Sequence, residues 1–501
     1  MDLSKEYKKY KDSNSLARKY SYALNVLSFD SETDCPEKDK ETSLSVQEFF
    51  EEKLLNILMS DEYVSNLKYL YENRKYLTEL EKKEIEEDYK ETDRLSKIPH
   101  DELMEHYANL NRSNLQWKRC RQTLDYTPFI KELKELVDYN FKYVDYIKVP
   151  YKHKLDIALD EMEDSFNVEK YDEFFGLIKS EIVPLAKKII HMDKLYNPKI
   201  DTLKFDKYKQ MHITKVICDM MGYTSDYGCV RETIHPFTSG FNKNDVRITT
   251  SYDESLLLSN IYSVMHETGH ALYELGVDPK FDGTSLQGGS SAGMHESQSR
   301  FMENYLGRSY SFTKKLYSIL KLEFPKEFED ITVDDLYYYA NSVSNQFKRT
   351  EADELTYPIH ILIRYEVEKA LFSGFITVDQ IGDKFNELFT EYLDATPSNL
   401  LEGAFQDVHW ASGFGYFPTY ALGNAYAAQF YYKMKDTLDI DSLMEEGNFK
   451  PINEWLDSHI HKYGKSMKNL DIVKSACEEE FNPNYYIKYL KNKFETIYKL
   501  R

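Results

Sequence analysis

A mainly α-helical body with one small β element is the fold class that the sequence predicts. Only 19 Gly and 14 Pro interrupt 501 residues. Between them Leu, Lys, Glu and Tyr recur at helical spacing. Glycines and β-branched residues crowd together in a single stretch, 222–252, which includes Gly222, Gly228, Pro236 and Gly240. That stretch is expected to form a short hairpin or a pair of strands. No fixed-period repeat and no low-complexity linker divides the chain. Length alone would allow about three to five domains or one large helical body; without a linker, residues 1–501 are treated as one unit.

The elements follow in order. Residues 45–95 are charge-rich, and the run Glu81-Lys82-Lys83-Glu84-Ile85-Glu86-Glu87 has the pattern of a solvated helix face. Pro99, Pro128, Pro150 and Pro184 punctuate further helices. After the strands, a helix is expected from Asp253 to Gly276, capped by Ser251 or Asp253 and closed by Gly276. A Gly/Ser loop, Gly283 to Gly293, leads to another helix that runs to Gly307. A long helical pattern from Ser342 to Ser373 is expected to kink at Pro358.

Composition excludes several classes. The formal charge of −21 leaves no basic face for nucleic acid or for an anionic membrane surface. With 42% hydrophobic and 30% charged residues the chain is not of the disordered type. The longest apolar runs, such as Leu256-Leu257-Leu258, are far too short to span a bilayer. The stretch Met1 to Phe29 is charged throughout, so no secretory leader is expected and the protein is placed in the cytoplasm. The five cysteines show no C-x-x-C spacing, which argues against a disulfide framework and a cysteine zinc site.

The sharpest signal is His266-Glu267-Thr268-Gly269-His270. Histidines at i and i+4 stack on one helix face, where one Zn²⁺ can take both. Glu267 lies one residue round and can reach a water on the metal, whose pKa zinc brings toward ~7. Mostly apolar neighbours, including Ile261, Val264, Met265, Ala271 and Leu272, would bury the helix and hold the ligands still. The same pentapeptide would also suit two surface histidines on an amphipathic helix. A catalytic zinc needs a third protein ligand. Glu296, in His295-Glu296-Ser297-Gln298, is the candidate, with Glu303 on the same helix next in line. Alone, Glu296 would equally suit a helix first turn, where the dipole favours acid.

Taken together, the motifs resemble the carboxypeptidase Taq family of metallocarboxypeptidases. His235-Pro236-Phe237 matches its H-P-F motif, and Asp245-Val246-Arg247-Ile248-Thr249 its D-x-R-x-T. The zinc motif and His295 to Gln298 follow in order. Arg349-Thr350-Glu351-Ala352-Asp353 matches all of I-R-x-x-A-D but its first residue, and Gly403 to Trp410 matches G-x-x-Q-D-x-H-W. Two departures stand out: Lys348 where the family has Ile, and Phe29 where it often has Trp before Asp30. The Lys either adds a charge beside Arg349 or faces solvent; the Phe concerns packing. The resemblance implies a two-lobed helical body with a deep central groove and the metal on its floor. In that frame 1–221 would form a helical lobe and groove wall, 222–430 the metal-site core, and 431–501 the C-terminal helices. It further implies a homodimer that releases single residues of broad specificity from peptide C-termini, poorly when the last is proline. One Zn²⁺ per chain is expected, and Co²⁺ or Mn²⁺ would suit the same ligands.

A carboxypeptidase must recognise a free α-carboxylate, which in so acidic a chain needs dedicated cations. On a strand, Asp245, Arg247 and Thr249 share one face, so Arg247 could bind carboxylate while Asp245 holds it. A plain salt bridge on a hairpin is the alternative. Arg349 has Asp353 at i+4 on the expected helix, either an ordinary ion pair or a bidentate carboxylate clamp. His409 and Tyr420 could hold the substrate carboxylate or the oxyanion, or simply belong to the core. His235, in a loop-like context, could close the groove end or serve the loop itself. The principal expectation is a zinc carboxypeptidase with Glu267 as general base. A metallo-oligopeptidase cutting internally is the rival enzyme. A non-catalytic metal protein is the third reading, and Glu267 argues against it because a structural site needs no base.

Overall fold

Helices make up most of the architecture in the computed structural model, which describes residues 2–147 and 151–500. Pro150 lies outside the described residues. Two compact units interleave along the chain. The first comprises Met1–Ser96, Asp206–Ser290 and Phe449–Lys468; the second comprises Lys97–Phe205, Ser291–Asn448 and Asn469–Arg501.

In the first unit, helix Leu3–Glu32 starts on Asp2, whose side chain accepts from the Ser4 N–H. Helix Glu79–Leu95 starts on a capping box between Thr78 and Glu81, which satisfies two otherwise orphaned donors. Tyr10, Tyr63, Leu67, Leu70 and Ile85 join these two helices and helix Asp61–Glu72 in one apolar cluster. The charged run 81–87 is therefore not wholly a solvated face. Glu84 is fully buried, held by Lys11 Nζ at 2.7 Å and by the Tyr7 hydroxyl at 2.7 Å. Burial is tolerable because the charge is paired.

The expected hairpin is present and gains a third strand. β1 (Val230–Glu232), β2 (Thr238–Asn242) and β3 (Asp245–Thr250) lie in the order β1-β3-β2. β2 and β3 pair antiparallel with Thr238 opposite Ile248, and a bulge falls between Gly240 and Asn242. β1 runs parallel to β3 with Val230 opposite Ile248. The helix carrying the His pair spans Leu257–Leu275 and packs on β3 and on helix Lys207–Met221. It begins later than expected, because Asp253 spends its carboxylate on a local turn, accepting from Ser255 N–H at 2.7 Å. Neither Ser251 nor Asp253 caps it. Gly276 follows its end with a right-handed φ of −80°, so left-handed freedom is not why a glycine stands there. Space is: an added Cβ would collide with Asp457 Oδ1 and lie 2.6 Å from His461 Nδ1.

In the second unit, Pro99 stands at the start of helix His100–Thr123, while Pro128 and Pro184 sit in the first turns of Thr127–Ile147 and Val183–Ile190. Helix Ala292–Arg300 runs on as a π-helical segment, Phe301–Gly307, which ends at the expected Gly307. Helix Phe417–Met434 is buried almost all round, from Ala421 and Leu422 to Phe430, as a central helix must be. The continuous helix expected over 342–373 does not form. Arg349–Glu351 is a single 3₁₀ turn, and an α-helix starts only at Tyr357 with Pro358 in its first turn. Asp353 decides this, since its carboxylate gathers the N–H groups of Ser344, Leu355 and Thr356 at 3.0–3.1 Å. That local network competes with helix, and proline suits a helix start better than a helix interior. Among the described residues no helix is long and apolar enough to cross a membrane.

Candidate metal centre and its surroundings

Apolar residues drive helix Leu257–Leu275 into the core, with Ile261, Val264, Met265 and Ala271 fully buried. The polar pair rides on that anchored element. His266 and His270 stand one turn apart, ring centroids 4.9 Å from each other. Glu296 lies on helix Ala292–Arg300, which Ser291 caps through the Met294 N–H. One ligand atom from each of His266, His270 and Glu296 falls within 4.8 Å of the others. Two imidazoles and one carboxylate form a donor set that suits zinc and other borderline divalent ions and leaves room for a fourth ligand. Glu296 is only 4% exposed and is held by Arg300 Nε at 2.6 Å. Gly423, on helix Phe417–Met434, lets Glu296 come close: a Cβ there would sit 2.6 Å from Glu296 Cβ. Glu303 is clasped by Arg300 at 3.0 Å and Arg308 at 3.2 Å, so its carboxylate is already balanced.

Glu267 is 6% exposed and points its carboxylate toward β2. The Thr238 hydroxyl lies 2.6 Å from Glu267 Oε2 and 3.0 Å from the Glu267 carbonyl. On β3, Asp245 and Arg247 form the same-face pair that the alternation implies, with Nε–Oδ1 at 2.9 Å and Nη2–Oδ2 at 2.8 Å. The guanidinium also lies over the Phe241 ring at 4.5 Å and the Phe29 ring at 5.6 Å. Phe29 is buried edge-on against Phe237, a packing role. His235 sits exposed in the loop between β1 and β2.

A second polar group lies in the 349–420 region. Arg349 does not pair with Asp353. Its Nε and Nη2 grip Asp407 at 3.0–3.2 Å, and Nη1 donates to the Tyr357 hydroxyl at 2.9 Å. Arg364 reaches the same carboxylate at 2.7 Å. Burial pushes the Asp407 carboxyl up, but the two guanidiniums outweigh it and hold the group well below the usual range. Two buried cations against one anion leave a net positive charge. His409 Nε2 lies 3.0 Å from the Tyr420 hydroxyl, and Arg349 stacks over the Tyr420 ring at 4.8 Å. Burial first, then Arg349, lowers His409 to about 4, so the ring is neutral near pH 7. Burial keeps the Tyr420 proton on far above its ordinary range. His409 Nδ1 is buried with no hydrogen-bond partner among the described residues. Tyr357 ties this group to the candidate ligand Glu296, since Arg300, which holds Glu296, stacks on the Tyr357 ring at 4.2 Å. Lys348 faces solvent.

With this geometry in place, comparison with known proteins decides the family. The model of the carboxypeptidase Taq (M32) metallopeptidase family matches residues 9–494. The chain belongs to that family. It is 38% identical over 483 residues to carboxypeptidase 1 of Bacillus subtilis (strain 168), covering 96% of each chain. The solved M32 carboxypeptidase of Deinococcus radiodurans R1 superposes with a TM-score of 0.94 at 26% identity, over 99% of this chain and 100% of that one. A solved carboxypeptidase of Pyrococcus furiosus gives 0.92 at 29% identity, over 98% and 99%. The chain is thus a metallocarboxypeptidase, and its chemistry calls for a divalent ion.

Within this M32 enzyme the structure gathers His266, His270 and Glu296 into one cluster, and Arg349, His409 and Tyr420 into another. Arg247 is engaged with Asp245 on β3, and His235 is carried by the exposed loop before β2. Sequence reasoning missed several residues. Arg364 carried no motif. Glu368 takes the Trp410 indole N–H at 2.7 Å and the Gly415 N–H at 3.0 Å, pinning the segment that carries His409. Burial pushes its carboxyl up to about 7. Glu163 accepts from the Gly293 N–H at 3.1 Å and the Tyr426 hydroxyl at 3.0 Å, at the start of the Glu296 helix. Nothing in its local sequence, Glu161-Met162-Glu163-Asp164, separates it from a surface acid. Thr238 was in reach, being the residue directly after His235-Pro236-Phe237.

Proposed function

We propose that this carboxypeptidase holds a zinc ion on His266, His270 and Glu296 and removes single residues from peptide C-termini with Glu267 as general base. A divalent ion in that cluster would lower the pKa of water and polarise the scissile carbonyl. Every other step falls to the chain's own groups. Glu267 takes a proton from the attacking water as its oxygen bonds to the carbonyl carbon. When the C–N bond breaks, Glu267 returns that proton to the departing amine. Neutral His409 and protonated Tyr420 supply donors for the developing oxyanion or for the substrate's α-carboxylate. Arg349, with its buried excess of positive charge, fixes that carboxylate. Arg247 and His235 would add contacts farther along the peptide. The resemblance extends the proposal to a cytoplasmic homodimer of broad specificity that handles proline poorly.

The observation that carries the reading is the pair Arg349–Arg364 sharing one Asp407, joined through Tyr357 and Arg300 to Glu296. A net cation buried that close to a ligand carboxylate has an anionic substrate group as its natural complement. The test compares a peptide acid with its amide. A charged hydrogen bond is worth roughly 1.5–3 kcal/mol, about ten- to a hundredfold in kcat/KM. The acid should be trimmed one residue at a time, the amide at least tenfold more slowly, with products read by mass. Arg349→Met should shrink that ratio. Equal rates on acid and amide, or internal fragments appearing first, would sink the clamp and favour internal cleavage.

A further inference from the structure

We propose that Thr238 is a positioning residue for Glu267, holding its carboxylate by Oε2 in the orientation from which it meets the reacting water. This rests on Glu267 being the general base. Thr238 Oγ1 stands 2.6 Å from Glu267 Oε2 and 3.0 Å from the Glu267 carbonyl oxygen. A hydroxyl has one proton to give. It goes to the nearer acceptor, the side-chain oxygen, where the hydrogen bond is shorter.

The donor is itself held in place. Thr238 is the first residue of β2, opposite Ile248 of β3. The residue before it is clamped: the Phe237 N–H donates to Thr249 Oγ1 at 2.7 Å, and the Thr249 N–H donates back to the Phe237 carbonyl at 2.9 Å. Thr249 is fully buried. A β-branched side chain on a fixed strand has few rotamers left, so Oγ1 loses little freedom in meeting Glu267. The arrangement also links the two strand motifs to the helix: Thr249 fixes Phe237, Phe237 fixes Thr238, and Thr238 fixes the base. Orientation matters because a base acts only from hydrogen-bonding reach of its proton.

The test uses Thr238→Val, Thr238→Ala and Thr238→Ser, with Glu267→Gln alongside, in the metal-loaded enzyme. Val and Ala remove the donor. Each should lower kcat about ten- to a hundredfold, as expected for losing a hydrogen bond to a charged group, with KM within about twofold of the wild type. Both should keep one equivalent of metal per chain after mild chelation, and a melting temperature close to the wild type. Ser restores the hydroxyl and should recover most of kcat. A purely structural role would instead raise KM, release metal, or leave Ser no better than Ala, and any of these overturns the proposal. Should Val fail to fold, Ala against Ser decides: equal kcat in the two overturns it. Glu267→Gln separates the premise. If Glu267→Gln retains activity within about threefold of the wild type, the general base itself is removed, since that role is worth roughly a hundredfold or more. An inactive Glu267→Gln beside a fully active Thr238→Val removes only the positioning role.

Discussion

Glu163 has no solvent exposure, yet it ends in a carboxyl at the foot of the helix that presents Glu296. Burial pushes it up to about 7 from an ordinary 4.5, against the pull of its hydrogen-bond donors. A carboxyl raised in the folded state favours folding when protonated. That contribution is complete below pH about 4.5 and is lost as pH rises through about 7. The gap of about 2.5 units corresponds to roughly 3 kcal/mol at most. Glu163→Gln cannot ionise, so it lacks this loss. Its melting temperature relative to the wild type should therefore climb between pH 5 and pH 8, on top of any constant offset from altered hydrogen bonds. A difference that stays flat across that range would mean the carboxyl titrates as an ordinary one. Such residues mark the limit of what a sequence discloses. His266, Glu267 and His270 were visible because helical periodicity alone puts them on one turn. Glu163 meets Gly293 only through folding, and Arg349 meets Asp407 the same way. The expected i+4 partner of Arg349, Asp353, closes a local turn instead.

Elements were legible where their signals are local and failed where tertiary chemistry overrode them. The stretch 222–252 announced strands, and its hairpin formed; the parallel partner β1 had no local signature. The pattern from 342 to 373 was helical by periodicity and was broken by a side chain's choice of backbone donors. Helix-on-helix distance was wholly invisible, and it sets where Glu296 stands. Gly423 faces Glu296 across the contact between helices Phe417–Met434 and Ala292–Arg300. By intrinsic propensity alone, alanine there should gain about 1 kcal/mol. Packing says otherwise, because a Cβ would stand 2.6 Å from Glu296 Cβ and 2.8 Å from its Cγ. Both atoms belong to the Glu296 stem, which Arg300 already restrains. Gly423→Ala should push Glu296 off its position, costing roughly 1–3 kcal/mol in overpacking and weakening metal retention. Dialysis against a mild chelator, followed by metal analysis, checks this. The variant should lose metal faster than the wild type and more slowly than Glu296→Ala, which lacks the ligand. Metal retained as tightly as in the wild type would mean that the two helices part without disturbing the site.

At the scale of the whole molecule the problem is charge. A net −21 surrounds an enzyme whose substrate must arrive carrying a carboxylate. The long-range field disfavours every anionic peptide, while on the proposed reading the short-range contact at Arg349, 6% exposed, favours the terminal carboxylate. These two effects separate by distance. The field acts through water and is screened with a Debye length of about 10 Å at 0.1 M salt, whereas a buried pair is screened far less. Salt should therefore change which peptides arrive and leave unchanged how their ends are gripped. Peptides sharing one C-terminal residue but preceded by Asp and Glu should show kcat/KM rising severalfold from about 10 to 300 mM NaCl, as repulsion is screened. Counterparts preceded by Lys should fall over the same range, so that the two series converge. The acid-to-amide ratio of a neutral peptide should stay nearly constant throughout, because that preference is set in the desolvated contact. If the acid-to-amide ratio instead collapses with salt, the terminal carboxylate is being read by exposed cations rather than by Arg349. If the charged series do not converge, the surface field plays no part in selecting substrates.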